Sequence, residues 1–268
     1  MIVHGPSGAG SRGVTPVYLR CTQGRLSWKH PRGALRVLLR LPPSNSRHLP
    51  FRACVRPLKA SGGSRIWLEE RARLRPLFPE VLVRRGRGGR TECTTSRNGQ
   101  VALFVEAEGA DKELTFAYHL QPLPDNGHYD PSEECRPCST EELARAFCSS
   151  DLVARGRITA TEEVDEHRVT QLSVRVTKVL RAMPGDPTSE QDDANSSQEN
   201  VLQAPPATKV VITVGQHCGA RHGEGEFVFM ARRRLGDLAL TCAPRLEDWA
   251  MLSRKLNRLG SAHCVLQS

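Results

Sequence analysis

The sequence predicts a mainly β protein in two parts, a β-sandwich followed by a small β-barrel with flanking helices. Three observations carry that expectation. Short runs alternating apolar and polar residues recur every ten or so positions, separated by Gly and Pro turn signals. The 268 residues include 18 Pro and 22 Gly but only 5% aromatic and 38% hydrophobic residues, a composition that suits short strands and turns better than long helices. Nine cysteines, six of them from Cys135 onward, are a count typical of a disulfide-built framework. The length accommodates two domains of ordinary size.

Val17–Cys21 alternates and reads as a strand, Thr22–Gly24 as a turn, and Leu26–Trp28 as the start of a second strand. Pro31–Gly33 turns again before the apolar run Ala34–Leu41, which Pro42 and Pro43 close. Phe51–Val55, Arg65–Leu68, Val101–Glu106 and Leu114–Leu120 complete a set of short strands expected to form a sandwich over residues 14–122. Cys54 and Cys93 lie in this region and can staple it, which is worth roughly 3–4 kcal/mol in the chain-entropy model. Gln121–Glu134, with three prolines and Asp125-Asn126-Gly127, is the best boundary, and residues 123–134 are expected to be a linker.

The second domain, 135–268, opens on Cys135-Arg-Pro-Cys138. Ser139 followed by Glu142 fits a capping box leading into a helix over Thr140–Cys148. Strands are expected at Leu152–Ala160, Arg168–Leu180 and Lys209–Val214, and a hairpin from Glu226–Met230 and Leu238–Cys242. Between them, residues 183–207 have too little apolar content to offset their ordering entropy and read as a disordered insertion. It carries the only Asn-x-Ser/Thr sequon, making Asn195 the candidate glycosylation site. Leu246–Leu259 reads as an amphipathic helix with Leu246, Trp249, Ala250, Leu256 and Leu259 near one face. The sum is a five- or six-stranded OB-like barrel with helices at both ends.

The Cys-x-x-Cys at 135–138 has three readings. A redox motif belongs between strand and helix in a βαβ series, and none surrounds it. A zinc ribbon needs a second close ligand pair, whereas Cys218, Cys242 and Cys264 stand apart. A disulfide framework, three early cysteines tied to three late ones, is favoured, and it points outside the cytosol. An odd cysteine count leaves one without a partner. Met1–Gly13 has no apolar run of signal-peptide length, and no stretch approaches a membrane span, so the chain is expected to lack its true start and not to insert into a membrane.

The net charge of +9 is carried mostly by arginine and concentrated between Arg20 and Arg90. Arg71, Arg73, Arg75, Arg84, Arg85 and Arg87 form the candidate polyanion patch, with heparan sulfate as the partner it suggests. No helix-turn-helix, RNP or zinc-finger pattern accompanies the charge, which argues against nucleic acid. Catalytic, cofactor and metal sites are not expected: the nine histidines are scattered, and there is no Gly-x-Ser-x-Gly or P-loop. A disulfide-bound Cys218 beside His217 cannot act as a nucleophile.

Val17-Tyr-Leu-Arg-Cys-Thr-Gln-Gly24, Trp28, Pro31–Leu35, Leu103–Ala107, Cys135–Ser139, Cys148–Asp151 and Cys242–Arg245 occur in an order that resembles the meteorin family, nearer its meteorin-like branch. The resemblance runs from Val17 to Cys264. It implies a secreted protein with an N-terminal CUB-like sandwich and a C-terminal netrin-like domain. The implied activity is that of a hormone or growth factor, neurotrophic or metabolic and immune, acting through a cell-surface receptor. It also implies the pairing Cys135–Cys218, Cys138–Cys242 and Cys148–Cys264, which leaves Cys54–Cys93 for the first domain. Family members carry a further cysteine near the mature N-terminus; this sequence has none before Cys21, so Cys21 is expected to be unpaired. The alternative function is an extracellular-matrix or heparan-sulfate-binding module.

Overall fold

Alternation along the first half of the chain becomes two stacked sheets in the computed structural model, which describes residues 1–4, 13–42, 49–59, 65–71, 73–78, 90–106, 113–124, 127–182 and 209–268. Its strands are β1 (Ile2–His4), β2 (Val14–Leu19), β3 (Gln23–Lys29), β4 (Ala34–Leu39), β5 (Phe51–Lys59), β6 (Arg65–Glu70), β7 (Arg73–Pro76), β8 (Glu92–Thr95), β9 (Val101–Glu106) and β10 (Leu114–Pro122). One five-stranded sheet has the order β1-β3-β10-β5-β8 and the other β2-β4-β9-β6-β7. The period of two decides what faces inward. Leu26 and Trp28, Phe51, Ala53 and Val55, and Leu114, Phe116, Tyr118 and Leu120 come from the first sheet. Leu35, Val37 and Leu39, with Val101, Leu103 and Val105, meet them from the second in one core. On the far face of the second sheet, Arg36 on β4 reaches across β9 to Glu69 on β6 in a two-pronged ion pair, 2.7 Å on each side.

The expected strands are present, several of them longer than read, and three more join them. β3 begins inside the segment read as a turn. β1, β7 and β8 had no periodic signal because edge strands need no apolar stripe: all four residues of β7 are exposed.

The second unit begins at Pro131, after the boundary at Asp130. A 3-10 turn over Pro131–Glu134 lies where a linker was expected. Helix α1 (Thr140–Ser149) follows, then β11 (Leu152–Val164), β12 (Val169–Ala182), β13 (Lys209–Gly215), a 3-10 turn at Gln216–Cys218, β14 (Phe227–Arg234), β15 (Asp237–Cys242) and helix α2 (Leu246–Leu259). The five strands close as β11-β12-β13-β15-β14. Inside the barrel lie Leu152, Ala154, Leu172, Val174, Ile212, Phe229 and Leu238. The intervening residues Val153, Val228 and Met230 point the other way and pack under the helices with Phe147, Trp249 and Leu256. β11 over Leu152–Ala154 and β14 over Phe227–Ala231 are therefore apolar on both faces, and there their sequences read as short continuous runs. Gly156 marks a close approach: a Cβ there would sit 2.5 Å from the Arg175 carbonyl oxygen, beside a register shift between β11 and β12.

Local chemistry sets both helices. Ser139 Oγ accepts from the Glu142 N–H at 3.3 Å while the Glu142 carboxylate accepts from the Ser139 N–H at 2.8 Å, the reciprocal capping box the sequence suggested. α2 stops at Gly260, which takes the left-handed conformation with φ 60°. Its buried face is Trp249, Ser253 and Leu256; Leu259, expected on that face, is exposed. At about 100° per residue it lies roughly 60° past Leu256 and 120° from Ser253, at the rim of the buried face and on the last residue of the helix.

Two expected outcomes follow from these environments. Ser139→Ala removes one cap and should lower stability by about 1 kcal/mol, measured by urea unfolding. Burial, with a contribution from the Arg52 guanidinium, pushes the His119 imidazole on β10 down to about 4. The unfolded chain protonates this residue near pH 6.5, well before the folded chain does, so its burial costs nothing above that pH and destabilises increasingly as pH falls towards about 4. The full cost is about 3 kcal/mol. His119→Gln should remove that part of the slope when urea midpoints at pH 7 and pH 4.5 are compared with those of the unmodified chain.

Candidate functional site

The disulfides place the segment that opens the second unit. Cys135 bonds Cys218, Cys138 bonds Cys242 at the end of β15, and Cys148 bonds Cys264 beyond α2. Cys54 on β5 bonds its register partner Cys93 on β8, and Cys21 is free and exposed. Around α1, Phe147 stacks on Trp249 with ring centroids 5.2 Å apart and planes 18° from parallel. The helix's last carbonyls would be orphaned without donors. Arg181 from β12 donates to the Phe147 and Cys148 oxygens, and Arg232 Nε from β14 donates to the Ser149 oxygen at 3.0 Å. Two cations at the negative end of the helix dipole fit it electrostatically as well. At the other end, Arg136 grips Glu142 at 2.6 and 2.8 Å and Glu133 at 2.8 Å. That grip, with the Ser139 N–H, holds the Glu142 carboxyl down at about 2.

Cys135 differs from the other bonded cysteines in being exposed; the rest are buried or half-buried. It sits where the 3-10 turn Pro131–Glu134 meets the 3-10 turn Gln216–Cys218. His217 lies beside the bond: one ring nitrogen and the two sulfurs fall within 4.8 Å of one another. Its Nε2 is 3.1 Å from the Pro131 oxygen and 3.7 Å from Glu134 Oε2. Gly215 makes room for the ring, because a Cβ at that position would overlap it. While the sulfurs are bonded to each other they are not metal ligands. The sequence shows His217 next to Cys218 but cannot show Glu134, 83 residues away, on its other side.

A second cluster lies on the edge of the sandwich. Arg71 sits in the tight turn between β6 and β7 with φ 24°. Arg73 and Arg75, on β7, and Arg97 converge on one carboxylate, with nitrogens 3.5, 3.1 and 4.0 Å from Glu70. The Arg75 hydrogen bond, helped by the charges of Arg97 and Arg73, holds Glu70 below the usual carboxylate range. Three guanidinium groups around one carboxylate leave a positive surplus on an exposed edge. Arg97, from outside the arginine runs, joins Arg71, Arg73 and Arg75 only in the folded chain. Arg84, Arg85, Arg87 and Asn195, together with the insertion 183–207, lie outside the described residues. Among the described residues, no helix is long and apolar enough to cross a membrane.

The two units coincide with two family models. Residues 5–124 match the model described as Meteorin-like protein N-terminal domain, and residues 137–255 match Meteorin, C-terminal domain. The Meteorin-like protein of Mus musculus is 32% identical over 267 residues, covering 96% of this chain and 79% of its own length. That of Homo sapiens is also 32% identical, over 94% of this chain and 77% of its own. Human Meteorin is 30% identical over 88% of this chain and 78% of its own. With both models matched in order and the similarity running through both units, the chain belongs to the meteorin family.

Proposed function

We infer that this protein is a secreted, non-enzymatic signalling ligand that acts through a cell-surface receptor, in the manner of a hormone or growth factor. The observation that carries the reading is family membership across both units, joined to a framework of four disulfides. Such a framework persists in an oxidising compartment and is rare in the cytosol. Sandwich and barrel serve as binding scaffolds in unrelated proteins, so the fold itself names no receptor. Purified protein, fluorescently labelled, should bind cells in a saturable manner and be displaced by unlabelled protein. Binding that rises linearly without displacement, or protein retained inside secreting cells with its cysteines reduced, would overturn the reading.

The Glu70 cluster favours a second reading, an extracellular module that binds heparan sulfate. Its sulfates would pair with Arg71, Arg73, Arg75 and Arg97, and such pairing weakens with salt. Glu70 makes the test two-sided. Arg73→Ala with Arg75→Ala and Arg97→Ala should move elution from a heparin column to lower salt. Glu70→Gln should move it higher by freeing the guanidinium groups. Unchanged elution in both variants would remove this edge as a polyanion site.

A further inference from the structure

The geometry points to a redox-gated metal site at the start of the second unit: once opened, the Cys135–Cys218 pair, with His217 and Glu134, binds one zinc-class dication. The donor set is right for zinc, two thiolates, an imidazole and a carboxylate, a combination of soft and borderline ligands. The spacing is close to what the ion needs. Donors about 2.0–2.3 Å from a tetrahedral zinc lie roughly 3.3–3.8 Å from one another. Here the two sulfurs and a ring nitrogen of His217 already fall within 4.8 Å of one another. Glu134, whose Oε2 is 3.7 Å from His217 Nε2, borders the imidazole outside that group and reaches the ion by turning its side chain toward the sulfurs. The Cα atoms of Cys135 and Cys218 are 5.2 Å apart, so the released sulfurs need only side-chain rotation to separate. Two short 3-10 turns carry Glu134, His217 and Cys218, Cys135 directly follows the first of them, and Gly215 leaves space for the imidazole to fold over its own turn.

The gate is the disulfide itself. Reduction takes two electrons from a dithiol. One thiolate of the reductant attacks the sulfur of Cys135, the exposed residue of the pair, and expels the Cys218 thiolate beside His217. The second thiolate of the reductant then releases Cys135, leaving the reductant as a disulfide and the protein as two thiols. Zinc binding displaces both thiol protons to solvent, giving two thiolate–metal bonds. Access selects this pair. Cys135 is the exposed half-cystine, whereas Cys242 is buried and Cys138, Cys148 and Cys264 pack against the core beneath the helices. Those two remaining bonds keep α1 and the chain beyond α2 tethered to the barrel while the third is open. The metal then restores a link between the same two turns.

The test uses the full chain with Cys21 first capped by iodoacetamide. Limiting phosphine reductant followed by a second, mass-distinct alkylating reagent should label Cys135 and Cys218 ahead of the other six bonded cysteines, with far-ultraviolet circular dichroism unchanged. The selectively reduced protein should bind one Zn²⁺ per chain, which protects both thiols from alkylation. Co²⁺ in its place should show the near-ultraviolet absorbance of thiolate-to-metal charge transfer. His217→Ala and Glu134→Gln, prepared in the same way, should each weaken Zn²⁺ at least tenfold. Earlier labelling of any other pair, failure of Zn²⁺ to protect the thiols, or unchanged affinity in either variant would overturn the site.

Discussion

Residues 135–148 contribute no strand to the barrel, so no sheet ladder holds them in place, and yet the helix they form covers one side of it. A helix of ten residues is marginal alone in water. Three kinds of interaction hold it here. The bonds from Cys138 and Cys148 close loops of 104 and 116 residues, each worth about 5 kcal/mol in the chain-entropy model. Phe147 is buried against Trp249, a contribution of about 2–3 kcal/mol from apolar area. Arg181 and Arg232 satisfy carbonyls that would otherwise be left unpaired. The covalent terms are the largest, and the packing gives the tether a defined geometry. The double-faced strands β11 and β14 follow from this arrangement, since a helix held against the barrel needs apolar residues beneath it.

The strands most legible in the sequence are those with a dry face. Leu35, Val37 and Leu39 on β4 and Val101, Leu103 and Val105 on β9 supply the apolar period of two that meets the core, although Leu38 and Phe104 on the other face blunt the alternation. Ser139 and Glu142 were readable because a capping box is defined within four residues. β7 and β8 were not, because an edge strand is specified by its neighbour's unpaired backbone groups and not by its own side chains. Leu259 shows the opposite error. A leucine at the end of an apolar series is assigned to the face by its chemistry, while its place at the rim of that face and at the last residue of the helix leaves it in water.

The candidate sites divide in the same way. The cysteines were visible, but which early cysteine meets which late one was carried by the family resemblance. The structure makes the partners adjacent through strand order, since Cys218 follows β13, Cys242 ends β15 and Cys264 lies past α2. The arginine patch was visible as a run of like residues, but its organising feature is an acid. Glu70, half-hidden at the end of β6, draws Arg73, Arg75 and Arg97 into one cluster from two separate segments. Composition reports how many charges a chain carries; register decides which of them share a surface.

Loop length cannot rank the three disulfides of the second unit. The loops closed by Cys135–Cys218 and Cys148–Cys264 are 83 and 116 residues, and because the entropy varies with the logarithm of length they differ by only about 0.3 kcal/mol. What separates them is the route by which an attacking thiolate reaches sulfur. For Cys138–Cys242, one half-cystine is buried and the other half-buried, both packed with Trp249 and Phe147 in the layer beneath the helices. For Cys135–Cys218, the route ends at an exposed residue on a surface turn, and neither cysteine belongs to the apolar layer beneath the helices. Bonds of nearly equal thermodynamic weight in the unfolded chain are therefore unequal in the folded one. The two that pack against the core fix the fold, and the one at the surface is open to exchange while the fold persists.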